Sequence, residues 1–245
     1  MEAIVLSRRD FKEYDQIISV YTKDQGKLEV LARGIKKITS KNTAQLEPFS
    51  VVDIFIAKGK ELDILTTVQG IEYFPLIRKD FFKSMAAGYV VSVVDGIVQI
   101  GEKDERLYIL LLEWLNFVGR VENILPVLID GFVVSLFDCF GFCPSLDNCV
   151  ICGEIDNLNG FSFFSGGVIC SSCCTVKKNN MEIIAGWDVV LRRKYDILAL
   201  GDWERILKMN FDGDEYERLH EIIYGFFVYT QEKKIGDWGY VTVNN

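Results

Sequence analysis

The first 74 residues carry the short alternating patterns of apolar and polar side chains that are typical of β-strands. Turn residues such as Asp24-Gln25-Gly26 and Lys58-Gly59-Lys60 separate the apolar segments. Five strands are predicted, at residues 2–8, 16–22, 27–32, 50–57 and 61–73. Five short antiparallel strands without a long helix predict a small closed barrel. The oligonucleotide-binding (OB) barrel is the first candidate, and an SH3-like barrel is the alternative.

From Pro75 onward, the spacing of apolar residues changes to that of α-helices. Helical segments are predicted at residues 80–100, 104–118 and 121–141, and again from about Ala185. In the last helix, Asp214 and Glu217 resemble a capping box. One apolar stripe then follows it, formed by Leu219, Ile222, Ile223, Phe226 and Phe227.

These patterns predict an α+β chain with a barrel at its N-terminal end. The predicted domains are an OB-fold barrel over residues 1–74 and a helical domain over 75–245. A cysteine-bearing, glycine-rich segment at 143–175 interrupts the helical pattern, so it is predicted to be a metal-binding insert within the helical domain.

Two C-x-x-C pairs lie in that insert: Cys149 with Cys152, and Cys170 with Cys173. Their separation falls in the range expected of a four-cysteine zinc site. Each pair turns tightly enough to present two thiolates to one ion, and two pairs complete a tetrahedron. The spacing therefore predicts one structural Zn²⁺ per chain.

Three other interpretations of the cysteines stay open. The four could be buried free cysteines. A redox pair would normally lie in a thioredoxin-like βαβ context, which the sequence does not suggest. Cys174 could replace Cys173 as a ligand, although this would break the spacing. Cys139 and Cys143 lie in an apolar helical stretch and are expected to fill the core.

Few residues suggest catalysis. Four thiolates would leave no open position on the metal for water. The single histidine, His220, lies beside the apolar stripe of the last helix, where a surface or packing role is expected. The sequence contains no phosphate-binding loop, nucleophile elbow or dinucleotide fingerprint. We therefore expect a protein that is not an enzyme.

Composition and charge limit the expected cellular location and binding partners. No stretch reaches the roughly 18 to 20 apolar residues that a spanning helix needs, and the N-terminus does not resemble a secretion signal. A reducing, cytoplasmic location without disulfides is expected. The net charge of −8 argues weakly against nucleic acid, yet residues 1–41 hold nine Lys and Arg against six Asp and Glu. A polyanion would thus bind at the N-terminal end.

Several motifs resemble a known family. They are Ala3-Ile4-Val5-Leu6, Tyr14-Asp15, Tyr21-Thr22-Lys23-Asp24-Gln25-Gly26-Lys27, Ala32-Arg33-Gly34-Ile35-Lys36-Lys37 and Leu46-Glu47-Pro48-Phe49-Ser50. The helical region with its cysteine insert, which contains Gly166-Gly167-Val168-Ile169-Cys170, is similar to the same family. That family is the bacterial recombination-repair family RecO, and the resemblance covers nearly the whole chain.

The resemblance implies a non-enzymatic role in DNA repair and recombination in the bacterial cytoplasm, at the nucleoid. RecO-like proteins bind single- and double-stranded DNA, anneal complementary strands, and bind the ring-forming partner RecR. They also contact the acidic tail of the single-strand-binding protein. With RecR, and in some settings RecF, they help load RecA onto coated single strands. The zinc is then architectural.

The candidate DNA contacts are basic residues in or beside the early strands: Arg8, Arg9, Arg33, Lys36, Lys37 and Lys41. Phe11 and Tyr14 could stack on bases, although core packing is the expected role of each. The competing hypothesis is a zinc-stabilised protein-interaction adaptor whose barrel binds no nucleic acid. In that case the lysines between 36 and 41 belong to a solvated loop.

Candidate contacts for the acidic tail lie in the helical domain. The basic run 192–194 stands on a predicted helix near Trp187 and Tyr195, and Arg205 follows a predicted N-cap at Asp202. The candidates are Arg192, Arg193 and Arg205. The alternative is that these cations solvate an acidic domain.

Overall fold

A computed structural model describes residues 1–37, 43–176, 183–233 and 235–240. The chain divides into two compact units, Met1–Ile124 and Leu125–Asn245. Within the described ranges, no helix has both the length and the apolar character needed to span a membrane. The domain limits predicted at residue 74 and around the insert at 143–175 stay predictions.

A closed five-stranded barrel begins the N-terminal unit. Its strands are β1 (Glu2–Asp10), β2 (Gln16–Thr22), β3 (Gly26–Ala32), β4 (Val51–Ala57) and β5 (Asp63–Glu72). Their order around the barrel is β1-β2-β3-β5-β4, and β4 pairs with β1 to close it. All pairs are antiparallel except β3 with β5, which is parallel. The predicted barrel is confirmed.

The alternating pattern determines which side chains fill the barrel. Val5, Ile18, Val20, Val30 and Ile54 are buried together in its interior. Burying a side chain of this size stabilises the fold by about 1.5–3 kcal/mol. The alternate positions face away from the barrel interior, and some of them, such as Ile4, Leu6 and Ser19, are buried as well.

Three helices complete this unit: α1 (Pro75–Arg78), α2 (Phe81–Ile97) and α3 (Glu105–Arg120). Aspartates begin the two longer ones, because Asp80 accepts a hydrogen bond from the Lys83 N–H and Asp104 accepts one from the Arg106 N–H. Helix α2 packs against β1.

The second unit combines helices with a small antiparallel sheet. Its elements are α4 (Val127–Phe140), β6 (Leu158–Ser162), β7 (Gly167–Cys170), α5 (Ser171–Val176), β8 (Ile183–Ala185), α6 (Val189–Ala199), α7 (Trp203–Leu207) and α8 (Glu215–Gln231). Strand β6 lies between β7 and β8, and α4 packs against α6, α7 and α8. The predicted class, a barrel followed by helices with a cysteine module, is confirmed.

Three local expectations were wrong. Asp214 precedes α8 but its side chain makes no capping hydrogen bond; it pairs with Arg218 instead, at 3.3 Å. Helix α4 begins at Val127, after Pro126, rather than at residue 121, because a proline is tolerated only at the first turn. Cys143 lies beyond the end of α4 and is exposed, so it does not fill the core.

Candidate metal centre and nucleic-acid groove

The four predicted cysteines converge at one end of the β6–β7 hairpin. Their sulfur atoms all lie within 4.8 Å of one another. Cys149 and Cys152 belong to the loop before β6, Cys170 ends β7, and Cys173 lies on α5. They could hold a metal ion.

Local hydrogen bonds shape the first cysteine pair. The Gly153 N–H donates to the Cys149 carbonyl at 2.8 Å, and the Cys149 N–H donates to the Glu154 carbonyl at 2.7 Å. Gly153 has a φ of 80°, a conformation that favours glycine. Burial opposes the thiolate form of Cys149, but hydrogen bonds from the backbone of Cys170, Cys152 and Ile151 outweigh it and lower the Cys149 pKa. A thiolate is the form that binds metal.

One sulfur–sulfur distance in the cluster matches the edge of a tetrahedral zinc–thiolate site. The Cys152 and Cys170 sulfurs are 3.7 Å apart. With Zn–S bonds of about 2.3 Å, the edge of a tetrahedron is about 3.8 Å. Cys174 is buried against Ile169 and is not one of the four converging thiols.

A groove opens at one end of the barrel. It has a volume of about 470 Å³. It is lined by residues from the β1–β2 turn, the end of β3, the β4–β5 turn and the start of β5: Phe11, Lys12, Leu31, Arg33, Lys58, Gly59, Lys60, Glu61, Leu62 and Ile64. The β1–β2 and β4–β5 turns are the loops at which OB-folds bind oligonucleotides.

Three exposed cations of this groove have no carboxylate partner among the described residues: Lys12, Arg33 and Lys60. A fourth, Lys58, is held by Asp63 at 2.9 Å, and this ion pair lowers the Asp63 pKa. Phe11 is 44% exposed beside them, and the Lys12 ammonium lies 5.3 Å from the centre of its ring. Phe11 and Tyr14 are both exposed, so the expected core-packing role was wrong for each.

The other predicted DNA contacts lie outside this groove. Arg9 pairs with Glu29 at 2.6 Å, Lys36 with Asp10 at 2.6 Å, and Arg8 with Glu47 at 2.9 Å. Lys37 lies 5.7 Å from the centre of the Tyr14 ring. Lys41 falls outside the described residues.

Sequence reasoning missed Lys12, Lys58 and Lys60. The Lys58-Gly59-Lys60 turn was visible in the sequence, but its place beside Arg33 depends on the parallel pairing of Leu31 with Ile64. That pairing joins distant parts of the chain, so no local pattern reveals it.

The three candidate tail contacts in the second unit differ in whether they already make ion pairs and hydrogen bonds. Arg192 donates to Asp196 and Asp147, each at 2.9 Å, and to the Leu146 carbonyl at 2.6 Å. Arg193 and Arg205 are exposed. A small apolar pocket of about 170 Å³ lies in the same unit, lined by Leu125, Pro126, Val127, Met209, Phe211 and Tyr216.

Comparison with known proteins decides the family. Residues 1–74 match the family model described as Recombination protein O N terminal, and residues 78–236 match Recombination protein O C terminal. The chain belongs to the RecO family. The predicted resemblance to RecO is thereby confirmed, and the family supports a role in DNA repair and recombination.

Individual relatives cover most of the chain. The DNA repair protein RecO of Desulforamulus reducens is 31% identical over 241 residues, which span 96% of this chain and 90% of the relative. RecO of Syntrophomonas wolfei is 33% identical over 171 residues, 70% of this chain and 68% of the relative. RecO of a Thermoanaerobacter species is 30% identical over 222 residues, 91% and 88% of the two chains.

Proposed function

We propose that this RecO-family chain is a recombination mediator whose barrel binds single-stranded DNA in the groove between the β1–β2 and β4–β5 turns. One observation carries the proposal: Lys12, Arg33 and Lys60 line the groove without carboxylate partners among the described residues. Phosphates can therefore approach these cations without first displacing an ion pair. Exposed Phe11 offers a flat apolar face for an unpaired base.

Annealing follows from the same chemistry. Two complementary strands repel each other through their phosphates, and cations that neutralise those phosphates lower the repulsion. Family membership extends the proposal to RecR, and in some settings RecF, as partners in loading RecA onto coated single strands. We place this activity in the bacterial cytoplasm, at the nucleoid, and we assign no enzymatic step to the chain.

The cysteine cluster supports one structural Zn²⁺ per chain. Four thiolates would close the coordination shell and leave no position for a reacting water. Cys149, Cys152, Cys170 and Cys173 would tie the loop before β6 to the end of β7 and to α5. The ion would therefore stabilise the hairpin module and take no part in DNA chemistry.

A salt series tests DNA binding directly. Fluorescence anisotropy of a labelled single-stranded oligonucleotide is measured with the full chain between low and high salt. Counterion release predicts a log–log slope of about −0.7 for each phosphate neutralised, so three groove cations predict a slope of roughly −2 or steeper. No binding at low salt would favour the competing hypothesis, a zinc-stabilised adaptor without nucleic-acid binding.

The helical unit is proposed to bind the acidic tail of the single-strand-binding protein. Such a tail needs an apolar pocket for its end and cations for its carboxylates. Because Arg192 already holds two aspartates, Arg193 and Arg205 are the better candidates.

Arg193→Ala/Arg205→Ala should weaken binding of a tail peptide. Lys208→Ala, at a lysine that already pairs with Glu204, is the control; an equal loss in the control would argue for nonspecific attraction.

A further inference from the structure

His220 lies in a buried cluster that neither proposed site uses. Its Nδ1 is 2.8 Å from Asp130 Oδ1 on α4, and its Nε2 is 2.8 Å from Asp237 Oδ1. His220 is 8% exposed, and Asp130 is 1% exposed. The prediction that His220 has a surface or simple packing role missed this arrangement, because Asp130 and Asp237 are distant in sequence.

The hydrogen bonds around the ring favour its charged form. The Trp238 Nε1–H donates to Asp130 Oδ1 at 2.8 Å, and the Gly239 N–H donates to Asp237 Oδ1 at 2.7 Å. Both oxygens therefore already act as acceptors. A neutral imidazole carries one N–H, so it would turn a lone pair toward one of them. Both 2.8 Å contacts are favourable when His220 donates twice, as an imidazolium.

The aromatic surroundings also suit a cation. Tyr216 and Tyr224 of α8 stack on the two faces of the His220 ring, with centroids at 5.7 and 6.0 Å. The negative face of an aromatic ring attracts a cation at about this distance. Trp238 meets the ring edge-on at 5.2 Å and is fully buried.

Residues 235–240, which we call the strap, are fastened by this cluster. Asp237 accepts from His220, and the Trp238 Nε1–H donates to Asp130. The Ile235 carbonyl also accepts a hydrogen bond from the Tyr224 hydroxyl at 2.8 Å. Gly239 allows the close approach, because a Cβ there would lie 2.8 Å from His220 Nε2. We propose that protonated His220 holds the strap closed over α4 and α8, and that the strap opens when His220 loses its proton.

The direction of the pH dependence follows from the cluster. Burial opposes the charged form of His220, but Asp130 and Asp237 outweigh burial and raise its pKa above the ordinary value. The titratable groups facing the ring are Asp130 from α4, Asp237 from the strap, and Tyr216 and Tyr224 from α8 itself. A raised pKa means that the stabilisation is complete below the ordinary imidazole pKa and is lost as pH rises through the folded one.

Two measurements on the full, metal-loaded chain test the strap. Because His220 is the single histidine in the sequence, its ring nitrogen NMR signals report its proton without ambiguity. Hydrogen exchange at residues 235–240, expressed as protection factors, reports opening. We expect both transitions to share one midpoint above the ordinary imidazole pKa, with protection falling as the proton leaves.

Two variants separate the proton from simple packing. Asp237→Asn removes a charged hydrogen-bond partner, so it should lower strap protection by roughly tenfold or more at neutral pH and move both midpoints to lower pH together. Tyr224→Phe removes a neutral hydrogen bond, so it should lower protection by roughly fivefold at every pH without moving the midpoint. A strap that keeps its protection while His220 titrates, or a ring that is neutral below pH 6, would overturn the proposal.

Discussion

At the scale of single residues, the useful distinction among the barrel's cations is whether a carboxylate already holds them. Arg9 and Lys36 each lie 2.6 Å from a carboxylate oxygen, so a phosphate must replace that partner. Lys12, Arg33 and Lys60 face the groove free of such pairs within the described ranges. Basic residues that look alike in the sequence are therefore expected to contribute unequally to DNA affinity.

Phe11 provides a prediction at this scale. Phe11→Ala should weaken single-stranded DNA binding by about 1–3 kcal/mol, because it removes one stacking face. The salt slope should stay unchanged, since no phosphate contact is lost. Phe11→Trp is the matched control and should keep affinity. A stacking role would be contradicted if Phe11→Ala changed the log–log salt slope but left the DNA affinity at one molar salt unchanged.

The sequence predicted the cysteine cluster better than the groove, for a physical reason. Each C-x-x-C pair is a local turn, so its spacing alone implies two convergent thiolates. Lys12, Arg33 and Lys60 come from three separate segments that meet when β3 pairs with β5. The composition of the early strands indicated a basic surface, but the barrel closure determines which cations share a groove.

At the scale of elements, a partly buried ion pair ties α2 to the barrel. Lys27 of β3 lies 3.0 Å from Asp95 of α2, and Asp95 also accepts hydrogen bonds from Ser7 of β1 and Ser19 of β2 at 2.6 and 2.5 Å. Burial opposes ionisation of Asp95, but the hydrogen bonds from Ser19, Ser7 and Lys27 outweigh it and lower its pKa. One carboxylate thus joins four elements.

This pair predicts a pH-dependent stability. The depressed pKa means that Asp95 stabilises the fold above its ordinary value of 3.8, and that this contribution is lost as pH falls through the folded pKa. Asp95→Asn should lower the free energy of unfolding by about 2–3 kcal/mol at neutral pH. Denaturant titrations at several pH values measure this. The difference from the wild type should shrink in acid, and exposed Asp24→Asn should show no such trend.

The zinc module gives a second prediction for elements. Metal analysis of the purified chain should find one zinc, and Cys170→Ser should lose it together with the protection of β6 and β7. Structural zinc contributes on the order of 10 kcal/mol to small modules. Cys174→Ser should keep the metal, because Cys174 is outside the four converging thiols. If Cys174→Ser lost the zinc and Cys173→Ser kept it, Cys174 rather than Cys173 would be the fourth ligand.

At the scale of the whole molecule, the acidic charge is unevenly divided. Residues 1–124 contain 17 Lys and Arg against 18 Asp and Glu, whereas residues 125–245 contain 10 against 17. Nearly all of the net charge of −8 therefore belongs to the second unit. An acidic chain can then bind a polyanion through its nearly neutral first unit.

Fragments of the chain test whether the first unit folds and binds DNA without the second. Residues 1–124 should fold and bind single-stranded DNA at least as tightly as the full chain at low salt, because the acidic unit is absent. A fragment of residues 1–74 lacks Asp95 and leaves Lys27 without that partner, so it should be less stable. Circular dichroism and anisotropy measure the two properties. A folded 1–124 fragment that binds no DNA would place the binding surface elsewhere.

One comparison of salt slopes tests the proposed groove most directly. Lys12/Arg33/Lys60→Ala removes the three groove cations that have no carboxylate partner in the part of the chain that the structure describes. Arg9/Lys23/Lys36→Ala removes three exposed cations that are paired with carboxylates. Both variants change the net charge equally. The groove variant should lose affinity and flatten the log–log salt slope by about 2, while the control keeps both. Equal losses in the two variants, or a groove variant with wild-type affinity and slope, would contradict the proposed groove.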